Sequence, residues 1–137
     1  LKALEHLAKH SYVTARLDTL TYLRRSGRLS AIMTGLGSLL QLKPILTMKN
    51  GLPGSERVRT AGKAEARLIQ TLQTYLPIER FALVHTNAHQ EAEKFRQRIA
   101  HLIPKGEVYS MDITPVIGAH IGPGAVGYAI VSQNPVF

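Results

Sequence analysis

The chain has 137 residues, 17 Lys and Arg against 9 Asp and Glu, six His, no Cys and a formal net charge of +8. Its length and 45% hydrophobic content fit one globular domain with a real core and argue against disorder. The lack of Cys excludes a disulfide scaffold, thiol chemistry and Cys-ligated zinc, and no apolar run nears the roughly 18 residues of a membrane span.

The spacing of Leu1, Leu4, Leu7 and Ala8 predicts a helix over 1–9. Val13, Leu17, Leu20 and Leu23 continue that period behind a Ser11 N-cap, and Gly27 is a suitable C-cap, so a second helix is predicted over 12–25. A short helix around Leu36, Leu39 and Leu40 would lie between Ser30 and Gln41, ahead of Pro44. Ile45–Lys49 has strand composition, Asn50-Gly51 is a two-residue hairpin signal, and Leu52–Val58 returns as a partner weakened by Pro53 and Gly54. Gly62–Leu76 reads as a helix with Ala66, Ile69, Leu72 and Leu76 inward. Phe81–His85 reads as a strand. Ala92, Phe95, Ile99 and Leu102 form the stripe of a further helix. Glu107–Ile113 reads as a strand, Thr114–Gly127 as a Gly- and Pro-rich loop, and Val126–Val131 as a last strand.

Helices thus alternate with strands around one hairpin. The expected fold is α/β, an α+β sandwich whose mixed or antiparallel sheet is packed with helices, with residues 1–137 as a single domain. The chain opens at Leu1, already inside a helical pattern, so a piece of a longer protein is expected. The absence of Cys and of a signal-peptide pattern suits a cytoplasmic protein.

The positive charge is uneven. Residues 1–70 hold twelve Lys and Arg against four acids, whereas residues 71–137 hold five of each. A basic first half favours an anionic partner: nucleic acid, an acidic protein face, or a phosphate or carboxylate ligand. A solvated, solubilising surface explains scattered charge equally well. Arg24, Arg25 and Arg28 form the tightest group, although the first two also complement a helix C-terminus. Only 6% of residues are aromatic, and no stacking rings interleave the basic positions, which argues against nucleic acid.

Gly122-Pro123-Gly124-Ala125-Val126-Gly127 matches G-x-G-x-x-G, but a strand-like segment follows it and no acid follows Asp112. A dinucleotide site is therefore not expected, and close approach or sharp turning of the backbone is the better reading. His120 lies just before these glycines. The residues alone leave it open as a structural group or a donor to an anion. His85 and His89, and His6 and His10, are four apart. The first pair straddles a strand end and a helix start, and the second has no H-E-x-x-H glutamate, so no metal is expected at either. No G-x-S-x-G elbow, P-loop or paired carboxylates appear.

Three segments carry a resemblance. Tyr22-Leu23-Arg24-Arg25-Ser26-Gly27-Arg28-Leu29-Ser30 resembles Y-L-K-K-G-G-R-I-S, Leu42-Lys43-Pro44-Ile45-Leu46 resembles I-K-P-I-L, and Ile117-Gly118-Ala119-His120-Ile121-Gly122-Pro123-Gly124-Ala125 resembles G-A-H-T-G-P-G-A. In this order and spacing, from about Leu17 to Val131, they are similar to the C-terminal domain of the DegV family of bacterial fatty-acid-binding proteins. Two departures stand out: Ser26 replaces a usual Gly, and Ile121 replaces a common Thr and its hydroxyl.

The resemblance implies a two-domain protein whose N-terminal domain is absent here. It also implies a buried long-chain fatty acid as ligand, with no cofactor or metal. The domain would have no catalysis of its own, and a fatty-acid kinase catalytic subunit would be the partner that forms the acyl phosphate. By motif, Arg28 and His120 fall near the carboxylate, with Gly118, Gly122 and Gly124 letting the backbone bend around them. The missing domain should leave an apolar face exposed, with self-association through it. The runner-up is a nucleic-acid-binding domain using the basic first half, and a third reading is a hydrolase using His120 with an unassigned Ser.

Overall fold

The structure, a computed structural model, describes residues 1–28 and 42–136, so the helix expected between Ser30 and Gln41 lies outside the described residues. Helix α1 (Lys2–His10) leads into strand β1 (Ser11–Arg16) and the one-turn helix α2 (Thr21–Arg25). Strands β2 (Lys43–Lys49) and β3 (Leu52–Val58) form the hairpin. Helix α3 (Ala61–Thr74), strand β4 (Ile78–His85), helix α4 (His89–Ile99) and strand β5 (Tyr109–Asp112) follow. Helix α5 (Pro115–Ile121) and strand β6 (Val126–Ser132) complete the order.

Among the described residues the strands form one six-stranded sheet in the order β3-β2-β1-β6-β4-β5. The β4–β5 pair, joined across α4, is parallel, and the other neighbours are antiparallel. The sheet is therefore mixed, as the alternation of helices with a hairpin predicts. Asn50 and Gly51 both take left-handed φ, 51° and 73°, the geometry that closes a two-residue hairpin without splaying its strands.

The predicted helix over 12–25 forms only in its last part, Thr21–Arg25, followed by Gly27 with φ 72°. Residues 11–16 are a central strand with Tyr12 and Thr14 on one face and Val13 and Ala15 on the other, paired on both sides. Ser11 does not cap a helix N-terminus. It ends α1 with extended backbone, and its Oγ donates to Leu7 O at 2.6 Å. Over β1, two-sided ladder pairing outweighs the helical spacing of Val13 with Leu17, whereas Leu20 and Leu23 keep it at the start and inside of α2.

Alternation along the strands sorts side chains to two faces. One face packs on α3 and α4 through Tyr12, Ile45, Leu83, Val126, Tyr128 and Ile130. Thr60 caps α3, its Oγ1 accepting from Lys63 N at 3.1 Å. That helix turns Ala64, Leu68 and Leu72 inward, so the stripe expected through Ala66 is displaced and Ala66 is exposed. Helix α4 buries Ala92, Phe95 and Ile99, as its periodicity predicts. Each such Leu, Ile or Phe contributes about 1.5–3 kcal/mol. Tyr128 sits at the centre. Its ring lies parallel to Phe95 with centroids 6.4 Å apart, and its hydroxyl donates to Leu68 O at 2.8 Å. Burial pushes that hydroxyl's pKa up strongly.

Candidate functional site at the open face of the sheet

The opposite face carries Val13 and Ala15 of β1, Leu46 and Met48 of β2, Val84 of β4, and Gly127 and Ala129 of β6. These are mostly small side chains, and the described residues roof only one end of this face. There α2 and α5 meet over a second cluster of Leu17, Leu20, Leu23, Ile121 and Ala125, joined by Leu42, Leu46 and Ile113. Leu23 is the buried residue of α2, while its neighbours Arg24 and Arg25 point to solvent.

Helix α5 lies in the segment expected to be loop. Pro115 occupies its first turn, where a missing N–H costs nothing, and Gly122 ends it with φ 77°. Gly118 lies within this helix with open space around it and makes no bend. The turn is made by Gly122 and by Gly124, with φ 87°. A Cβ at Gly122 would stand 2.3 Å from the Tyr22 ring, so the aromatic side chain of α2 lies flat on the backbone that ends α5. One at Gly124 would stand 3.0 Å from Asp18 Cβ. Asp18 in turn receives Lys43 Nζ on its carbonyl at 2.8 Å and on Oδ1 at 3.4 Å.

The roof brings Arg28 and His120 together across 92 positions of sequence: Arg28 Nη1 lies 3.4 Å from His120 Nδ1. A guanidinium only donates, so Nδ1 accepts and the ring proton stands on Nε2. Arg28 Nη1 also donates to Ser26 O at 3.3 Å, which steadies the residues after α2. Both side chains stand at the edge of a groove of about 410 Å³ that runs under the roof. Leu17, Leu23, Leu46, Val84, Ile113 and Ile121 line it, and its walls are almost entirely apolar. Beyond Val13, which borders both, a second hollow of about 540 Å³ continues toward β5, with Ala82 and Ala129 on its floor and Arg80 and Lys105 among its other borders. An apolar channel with two nitrogen donors at one end can hold a molecule with a hydrocarbon body and one anionic head.

Sequence reasoning missed three residues that build this site. Thr86 hydrogen-bonds the loop after α5, Tyr22 covers Gly122, and Gly127 allows β1 and β6 to close. A Cβ at Gly127 would lie 1.9 Å from Thr14 O. Gly127 falls under the close-approach reading of its glycine segment without being named for it, Tyr22 lies inside a quoted motif with no structural reason attached, and Thr86 carries no local signal.

The remaining candidates lie elsewhere. His85 is buried at the end of β4, where its Nδ1 accepts from Ala88 N at 3.2 Å, and His89 is exposed at the start of α4. His6 and His10 stack with centroids 3.9 Å apart, and His10 Nδ1 lies 2.7 Å from His6 O. Among the described residues no group of three His, Asp or Glu is placed to hold a metal. Part of the basic first half is engaged locally: Arg67 grips Glu56 through two bonds, Nε to Oε2 at 2.6 Å and Nη2 to Oε1 at 3.0 Å. No helix among the described residues is long and apolar enough to cross a membrane.

Comparison with known proteins agrees with the motifs. A family model described as an uncharacterised protein, DegV family, matches residues 1–133. Protein DegV of Bacillus subtilis is 36% identical over 132 residues, 93% of this chain and 47% of that protein. The crystal structure of B. subtilis DegV, described as a fatty acid binding protein, superposes with a TM-score of 0.74 at 35% identity, covering 96% of this chain and 48% of that one. A DegV family protein from Thermus thermophilus, described by its fatty acid binding, gives 0.79 at 28% identity, with coverages of 96% and 49%. One from Corynebacterium glutamicum gives 0.81 at 27%, with coverages of 96% and 51%. The chain spans about half the length of the relatives it matches.

Proposed function

The chain belongs to the DegV family, and from that premise we propose that it binds a long-chain fatty acid in the groove beneath α2 and α5. The observation that carries this reading is the convergence of Arg28 and His120, 3.4 Å apart, at one end of an apolar groove of about 410 Å³. A carboxylate brought there would be costly to desolvate alone. Arg28 and the Nε2–H of His120 are two donors that offset the cost. The hydrocarbon tail gains about 0.8 kcal/mol for each CH₂ it buries along the groove and toward the second hollow. The relatives described as fatty acid binding proteins support the same ligand class.

The finer reading is that this is a binding domain, one unit over residues 1–137, equivalent to the C-terminal half of the longer relatives and working in the cytoplasm. It presents the fatty-acid carboxylate to a separate kinase subunit. There a carboxylate oxygen attacks the γ-phosphorus of the partner's ATP, ADP leaves, and an acyl phosphate results. The exposure of Arg28 beside the basic Arg24 and Arg25 supports a head group reachable from outside.

The test is mass spectrometry of lipid extracted from the purified, denatured protein, performed on this chain and on the full-length protein that contains it. One fatty acid per full-length molecule is expected. A full-length protein that carries none, and takes up none from oleic acid, would overturn the reading.

A further inference from the structure

We propose that Thr86 is a positioning residue for the Arg28–His120 pair: from the end of β4 it locks the loop that fixes His120 against Arg28. The inference rests on the fatty-acid reading above and concerns a residue that does not line the groove. Thr86 follows β4 and is buried, at 5% exposure. Four hydrogen bonds tie it to one loop. Its Oγ1 donates to Gly122 O at 2.6 Å and accepts from Ala125 N at 2.9 Å. Its backbone N donates to Ala125 O at 3.0 Å, and its carbonyl accepts from Gly124 N at 2.8 Å.

That loop has need of a clamp. Helix α5 has seven residues, too few to persist by its own hydrogen bonds. Val116 and Ile117 are both more than half exposed, Ile117 along the groove, and Ile121 is the one residue of α5 that is buried. Its last turn ends at Gly122, the residue that Thr86 grips from one side and the Tyr22 ring covers from the other. His120 precedes this point by two residues, and Tyr22 belongs to the helix that leads to Arg28. Loosening Gly122 therefore changes the spacing of the two donors while leaving in place the groove walls that β1, β2 and β4 supply.

The experiment compares the parent full-length protein with Thr86→Val, which keeps the shape and removes both side-chain bonds, and Thr86→Ser, which keeps the hydroxyl. Affinities for oleic acid and for oleyl alcohol are measured by calorimetry. The acid-to-alcohol preference isolates recognition of the head group, which a general loss of packing would not move. Thr86→Val is expected to lower that preference about tenfold, and Thr86→Ser to restore it. In parallel, the His120 ring-proton resonance is followed by NMR with and without Arg28→Ala. The parent resonance shifts when Arg28 is removed, and in Thr86→Val that response is lost. A preference and a resonance response both unchanged in Thr86→Val would overturn the inference. A parent that does not prefer the acid would overturn the fatty-acid reading instead. The resonance would then decide alone, its loss in Thr86→Val supporting the clamp and its persistence removing it.

Discussion

The two faces of the sheet are made by the same strands and differ in the size of what alternates along them. On the covered face stand Tyr12, Ile45, Leu83 and Tyr128, large groups that interlock with Leu68, Leu72 and Phe95. On the open face the neighbouring positions are Ala15, Val84, Gly127 and Ala129. The first face fills its space and gains stability. The second withholds side-chain volume and gains a groove. Binding space here comes from leaving atoms out along strands whose rigidity is secured from behind.

That division predicts separable effects. The largest belongs to the covered face: Phe95→Ala removes the ring beside Tyr128 and should cost about 3–5 kcal/mol in urea unfolding. A cost near 1 kcal/mol would mean that the two faces share the task of stability. On the open face, Arg28→Ala and His120→Ala should each weaken oleic acid binding by about ten- to a hundredfold, the range of a charge-assisted hydrogen bond. Both should move unfolding free energy by no more than about 0.5 kcal/mol. Equal losses of binding and stability would erase the distinction. The smallest effect is alkaline. Burial raises the Tyr12 hydroxyl from 10.0 to about 12. Below pH 10 both folded and unfolded chains keep this proton. Between pH 10 and 12 the unfolded chain releases it first, so stability falls as pH rises through that window. Tyr12→Phe should flatten the slope in an unfolding series across those pH values, and an unchanged slope would place its origin in other groups.

Much of this fold could be read from local pattern. The Asn50-Gly51 hairpin, the stripe of α4 and the final strand carry their own signals, because each depends on neighbours in sequence. Strand β1 was not legible as such. Its apolar residues share a helical spacing with Leu17, Leu20 and Leu23, and what makes it a strand is pairing with β2 and with the C-terminal β6. Helix α5 was hidden by Gly118 and the glycines that follow it, although Pro115 marked its start. Of the site, Arg28 and His120 were named through motifs, and the structure sets them side by side. Their role as carboxylate donors is the proposal that the binding variants test. Thr86 was illegible because it acts on the backbone of residues 36 and 39 positions away, and no side-chain pattern reports that.

The register Ser11 to Val131 has a consequence for how the molecule is made. Strand β1 pairs with β6, which follows it by more than a hundred residues. Until Val126–Ser132 emerges, β1 has β2 on one side and a bare edge on the other, and β4 lacks the neighbour that joins it to the hairpin half. The roof cannot close earlier either, since α5 comes just before β6 in the chain. The nascent chain therefore carries two unfinished half-sheets, whose joining is a long-range step of the slow kind. Through that interval their exposed strand edges are a liability for misassembly with other chains. The groove and its two donors come into being together, once α5 and β6 have both emerged.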